Sequence, residues 1–215
     1  MTPLPCRLLV VTDRRLAARD LPLVVHDAVS AGARWVWFRD KDLERADRLA
    51  LARQVLAAIR GRAVMTVGSD IGLVMELGLK AAHLSMAADV AEARQTLGDD
   101  ALIGLSAHSL ADVALAKARG ADYVTLSPIF ETASKPGYGP SLGLAGLQAA
   151  SALGLPILAL GGVSPTNAAT VMGAGAAGIA VMGGIMAARD VRRAVCDCRA
   201  ALSAPGPLGL GAVRA

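Results

Sequence analysis

The stretch PILALGGVSPTNAATVMGAGAAGIAVMGGI, Pro156–Ile185, decides the fold. It opens on a short apolar run and breaks at Gly161 and Gly162. A serine that can cap a helix follows, then an alanine-rich segment with helical spacing. Gly175 closes that segment, and a second apolar run ends on Gly183 and Gly184. A run of four to six apolar residues reads as a strand buried on both faces. Two such runs joined by one helix are a parallel βαβ unit.

The same unit repeats upstream. Strand candidates are RLLVVT from Arg7, RWVWF from Arg34, AVMTV from Ala63, AAHLS from Ala81, LIGLS from Leu102 and YVTLS from Tyr123. PILAL from Pro156 and GIAVM from Gly178 complete the set. Gly32, Gly61, Gly78, Gly98, Gly120, Gly154 and Gly175 fall where the intervening helices should end, as left-handed C-terminal caps. Eight units in this length predict a single α/β domain, a (β/α)8 TIM barrel over residues 1–203. Residues 204–215, APGPLGLGAVRA, lack helical spacing and read as a flexible C-terminal tail. The competing fold is a doubly wound open sheet, but VVTDRR carries no G-x-G-x-x-G after the first strand.

Composition narrows the function. Hydrophobic residues make up 54% of the chain and aromatics only 3%, so the apolar content is small aliphatics. Every apolar stretch is broken before the roughly 18 residues that a membrane span needs. The net charge of +4 is mild, and no basic run is interleaved with aromatics, which argues against nucleic acid. Cys6, Cys196 and Cys198 form no zinc spacing, and an odd count without a signal peptide points to the cytoplasm.

A barrel builds its site at the C-terminal ends of its strands. The glycine pairs Gly161–Gly162 and Met182–Gly183–Gly184 could let backbone amides approach a phosphate, or could simply make tight turns. Arg39 and Lys41 follow the second strand, and strand alternation would turn both toward one cavity; a solvated loop is the other reading. Asp40 reads as a partner charge and Asp42 as a helix N-cap. Ser106 and His108 follow the fifth strand, with Ser109 as the next N-cap. His108 could carry protons near neutral pH or merely orient its loop. His83 reads as a packing residue. After the sixth strand, SPIFETASKPGYGPS brings Thr132, Ser134 and Lys135 together ahead of Gly137 and Gly139, as a lid-like loop would.

VVTDRR, VWFRDKD, AAHLSM, IGLSAHS, GADYVTLSPIFETASK, PILALGGVSPTN and GAAGIAVMGGI together resemble the thiamine phosphate synthase and TenI family over roughly residues 8–190. The family's synthases join a pyrimidine diphosphate to a thiazole phosphate, with Mg²⁺, and release pyrophosphate. The resemblance implies diphosphate binding by Arg39 and Lys41 and substrate contact by Ser106. It implies phosphate and thiazole contacts by Thr132, Ser134 and Lys135. It implies a thiazole-phosphate cradle at Gly162 and the Met182–Gly183 turn, next to Gly161 of the first glycine pair. It also implies a small phosphorylated substrate and a homodimer.

The departures matter as much. Trp37 stands where synthases carry Gln, and Gly68–Ser69 where they carry Asn-Asp. Ala88 replaces an acidic Mg²⁺ ligand. Asp70 and Asp89 are each one residue out of place, so they are weak metal candidates, because Mg²⁺ demands near-octahedral oxygens. The expected chemistry is therefore that of the TenI-like branch, with no metal or cofactor: a thiazole tautomerase moving a proton through His108. The alternatives are a Mg²⁺-dependent thiamine phosphate synthase and a non-catalytic phosphate-ligand binder.

Overall fold

The computed structural model describes residues 3–131 and 140–203. The strands are β1 (Leu8–Val11), β2 (Trp35–Phe38), β3 (Val64–Gly68), β4 (Ala81–Leu84), β5 (Leu102–Ala107), β6 (Tyr123–Leu126), β7 (Ile157–Ala159) and β8 (Gly178–Val181). Between them run α1 (Leu21–Ser30), α2 (Arg45–Ile59), α3 (Ile71–Glu76), α4 (Val90–Leu97), α5 (Leu110–Ala118), α6 (Gly143–Ser151) and α7 (Ala168–Gly173). A short α8 (Gly183–Met186) and the long α9 (Val191–Ser203) follow β8. All strand pairs are parallel, and β8 returns to β1 to close the barrel. The fold is thus the expected (β/α)8 barrel. Every strand candidate overlaps an observed strand, with ends that differ by a residue or so.

All seven predicted cap glycines have positive φ, from 65° at Gly78 to 98° at Gly32. The L-amino-acid side chain is disfavoured there, so glycine fixes where each helix stops. Ser109 caps α5 by accepting from the Asp112 amide at 3.1 Å, and Asp112 reaches back to the His108 amide at 2.9 Å. That reciprocal pair fixes the entry of α5 and, with it, the position of His108.

Strand alternation separates two cores. One lies between barrel and helices and contains Val10, Val36, Phe38, Val67, Ile103 and Val124. The other fills the barrel with Leu9, Val11, Trp35, Trp37, Leu102, Tyr123 and Leu158. Gly104 has no side chain because the Tyr123 ring occupies the space its Cβ would need. Among the described residues no helix is long and apolar enough to cross a membrane. Cys196 is exposed and Cys198 buried, as expected of two positions on different faces of α9.

Two local expectations need correction. Asp42 does not cap α2; Glu44 holds that position, and Asp42 pairs instead with Arg14 at 2.7 Å and Arg15 at 2.6 Å. In SPTN, the side chain that grips the backbone is Asn167 rather than Ser164. Asn167 Oδ1 accepts from the Ser164 amide at 2.9 Å, and its Nδ2 donates to the Gly162 carbonyl at 2.9 Å. The segment 204–215 lies outside the described residues.

Candidate active site

A cavity of about 370 Å³ opens at the C-terminal ends of the strands. Arg39, His108, Gly161, Gly162, Met182 and Gly183 all line it. The sequence-predicted cradle and the predicted proton carrier therefore share one cavity. Lys41 is not among the lining residues and is exposed in the turn after β2. The alternation argument fails for it because β2 ends at Phe38, before the R-x-K spacing is complete. Thr132, Ser134 and Lys135 lie outside the described residues.

The first glycine turn is built by close approach as well as by positive φ. A Cβ at Gly161 would stand 2.8 Å from Pro128 Cα, and one at Gly162 would stand 2.5 Å from the Glu131 carbonyl oxygen. The segment after β6 runs tight against this turn, with Ile129 and Phe130 amides donating to the Leu160 and Gly161 carbonyls at 2.9 and 3.0 Å. Tight packing alone thus accounts for both glycines. It leaves the backbone free for a further role. The amides of Gly162, Val163, Gly183 and Gly184 donate to no group among the described residues, and all four residues line the cavity.

Arg39, at the end of β2, is half-buried and also lines the cavity. Its guanidinium stands 3.4 Å from an Asp13 carboxylate oxygen, and its amide donates to Thr12 Oγ1 at 3.0 Å. Thr12 in turn donates to the buried Asp40. Asp40 also accepts from the Arg14 amide at 2.6 Å, so it knits the ends of β1 and β2 together as a structural partner.

His108 is exposed at the mouth, and its Nδ1 lies 2.7 Å from the Ser127 carbonyl oxygen. A carbonyl only accepts, so Nδ1 carries the proton. In the neutral ring, Nε2 is then the basic nitrogen. Ser127 was not singled out from the sequence; only the β5–β6 register, which pairs Ala107 with Leu126, places it beside His108.

Ser106 sits one inward position below His108. Its Oγ lies 3.1 Å from Nε2 of His83, which is buried beneath the site and whose Nδ1 lies 3.0 Å from the Tyr123 hydroxyl. Burial pushes the His83 pKa down to about 3, so the ring is neutral. Trp37 covers it, with ring centroids 3.9 Å apart. The indole Nε1 is buried without a hydrogen-bond partner, and a Cβ on Gly68 would stand 2.9 Å from it. The Trp37–Gly68 combination is therefore a matched pair in which the large residue fills the room left by the small one.

The displaced carboxylates do not assemble a cation site. Asp70 caps α3 by accepting from the Leu73 amide at 2.8 Å, and its other oxygen takes Arg48 at 2.9 Å and Arg45 at 3.2 Å. Asp89 is exposed in a short 3₁₀ turn at Ala87–Asp89. Among the described residues, no group of three His, Cys, Asp or Glu side chains could hold a metal ion. These residues do not by themselves fit the octahedral oxygen shell of Mg²⁺.

A closed parallel barrel with its cavity at the C-terminal strand ends places the chain among the (β/α)8-barrel proteins. A sequence model of the family described as thiamine monophosphate synthase matches residues 8–185. A putative thiamine-phosphate synthase of Geobacter sulfurreducens is 36% identical over 189 residues, covering 86% of this chain and 89% of the relative. The thiamine-phosphate synthase of Chloroflexus aurantiacus is 36% identical over 201 residues, covering 92% and 93%. Among solved structures, a thiamine phosphate pyrophosphorylase from Pyrococcus furiosus superposes with a TM-score of 0.80 at 27% identity, covering 92% of this chain and 96% of that one. The chain belongs to the thiamine monophosphate synthase family.

Proposed function

We propose that this chain is a thiamine phosphate-forming transferase. It would join a pyrimidine diphosphate to a thiazole phosphate and release pyrophosphate. This reverses the order of the two enzymatic readings expected from the sequence, because the relatives that cover most of the chain are named as synthases. The observation that carries it is one cavity lined by two unsatisfied glycine-turn backbones and by Arg39. The amides suit the phosphate of the thiazole, and the cation suits the diphosphate that leaves.

In the reaction the bond from the pyrimidine methylene carbon to the diphosphate oxygen breaks, and the leaving group keeps the electron pair. The thiazole nitrogen supplies the pair for the new carbon–nitrogen bond. Arg39, steadied by Asp13, favours charge on the departing oxygens, and a half-enclosed cavity strengthens that interaction relative to water. The glycine turns fix the thiazole through its phosphate, so that its nitrogen is held near the carbon. The test is to supply both substrates with Mg²⁺, and again without it, and to assay thiamine phosphate. Formation by the wild type and loss of at least roughly tenfold in rate for Arg39→Met supports the reading. No thiamine phosphate under either condition overturns it.

A second reading, thiazole tautomerisation, is favoured by the Trp37–Gly68 packing and the commitment of Asp70. Trp37 fills volume on the side where synthases carry Gln, and His108 presents a basic Nε2. Here the non-aromatic thiazole carboxylate phosphate is the substrate, and aromatisation is followed by ultraviolet absorbance. Loss of about a hundredfold or more in His108→Asn, with binding retained, marks proton transfer. Binding of thiazole phosphate without turnover in either assay marks a non-catalytic binder.

A further inference from the structure

The lining of the strand-end cavity is layered. Its floor holds Val11 of β1, Trp37 of β2 and Ala180 of β8, which belong to the core that fills the barrel. Leu160 and Met182, one residue beyond β7 and β8, pack on the same core and line the cavity with them. The polar side chains of the lining are Arg39, His108, Ser127, Glu131 and Ser164. All five stand beyond the last residue of their strands, around the rim.

Trp37 is the one floor residue with an N–H to donate, and that group is withheld. Its Nε1 is buried without a hydrogen-bond partner. It faces β3, where a Cβ on Gly68 would stand 2.9 Å from it. His83 takes up one face of the indole, with ring centroids 3.9 Å apart. What Trp37 offers the cavity is therefore carbon. A flat ring laid on this floor meets an indole and apolar side chains, and no hydrogen-bond donor from below. Such a surface holds a ring by its face, through burial and stacking. It has no means of telling a ring nitrogen from a ring carbon, because discrimination of that kind needs a polar group left unpaired by the wrong ligand. An unread ring also suits the proposed reaction. The thiazole nitrogen must give its electron pair to the new carbon–nitrogen bond, and a donor from the floor would occupy that pair.

We infer that the cavity is ring-tolerant: it takes phosphate esters of flat aromatic rings, carbocyclic as well as heterocyclic, with the ring on Trp37 and its heteroatoms unread. Trp37 is thereby a specificity-determining residue, and the phosphate carries the selection. This rests on the reading of the glycine turns as a phosphate cradle.

Three probes test it on the full chain: thiazole phosphate, 2-phenylethyl phosphate and inorganic phosphate. Trp35 and Trp37 are the only tryptophans, so 5-fluorotryptophan labelling gives one fluorine-19 resonance for each. Trp35→Phe or Trp37→Phe, whichever folds, assigns them. Calorimetric titration of the wild type should find 2-phenylethyl phosphate within about fivefold of thiazole phosphate, since no hydrogen bond is lost with the ring nitrogen. Both esters should move the Trp37 resonance, and inorganic phosphate should leave it in place. A carbocycle weaker by more than about fivefold means that the heteroatoms are read, and overturns the inference. Ester binding that leaves the Trp37 resonance unmoved overturns it too. Trp37→Gln sets an amide in the floor and should open a gap of at least about tenfold in favour of thiazole phosphate. Equal affinities in that folded variant would remove Trp37 as the source of the tolerance. If 2-phenylethyl phosphate binds and thiazole phosphate does not, the proposed reaction fails and the ring tolerance stands.

Discussion

At the scale of single residues, Trp37 decides most. Its ring closes over His83, and Gly68 provides the room. Gly68→Ala forces the indole to shift, because the new Cβ would sit 2.9 Å from Nε1. Overpacking of this kind costs about 1–3 kcal/mol. Adding Trp37→Leu should return part of that cost, so the double variant should be more stable than the sum of the single effects predicts. Urea unfolding of the two single variants and the double variant measures this. Strict additivity would mean that the two sites do not meet. This contact was invisible in the sequence. Trp37 and Gly68 each stood out as departures from a family pattern, but only the β2–β3 register, Phe38 opposite Val67, brings them together. The same holds for Ser127 beside His108. His108 itself was legible, because its capping neighbours Ser109 and Asp112 stand at readable spacing.

At the scale of elements, the β7–α7 turn is the part that must hold its shape. Asn167 clamps it from both sides, through the Ser164 amide and the Gly162 carbonyl. Asn167→Ala removes both bonds and should cost about 1–2 kcal/mol of stability. Affinity for thiazole phosphate should fall with it, by more than for Asn167→Asp, which keeps the acceptor for Ser164. Thermal unfolding and calorimetric titration check the two effects. Equal affinity in both variants would separate the clamp from the ligand. The glycines of this turn were legible as special because they come in pairs. Their reason was not, since Gly161 and Gly162 answer to Pro128 and Glu131, which lie more than thirty residues earlier in the chain. Lys41 is the opposite case: β2 ends at Phe38, so the alternation that would turn Lys41 inward stops before reaching it.

At the scale of the whole molecule, the eightfold repeat was fully legible. A doubly wound open sheet would show the same alternation of short apolar runs and cap glycines, and the pairing of β8 with β1 is what closes the barrel. The buried interior of the barrel sets the response to acid. His83 has its pKa lowered from the ordinary 6.5 to about 3. Between those values the unfolded chain binds a proton that the folded chain does not, so stability falls as pH drops through this window and is intact above about 6.5. The exposed carboxylates Asp42 and Asp100 have lowered pKa values, and their contributions are lost only below about pH 4. Urea midpoints should therefore decline already between pH 6.5 and 5, above the window in which Asp42 and Asp100 lose their contributions. A flat profile over that interval would place a charged or solvated His83 in the fold.

The central claim is that the two glycine turns hold the phosphate of a thiazole phosphate. Amide chemical shifts during titration with that compound test it most directly. The account predicts that the amide resonances of Gly162, Val163, Gly183 and Gly184 move together, with a single affinity. Saturable binding that leaves those four amides unmoved would contradict it.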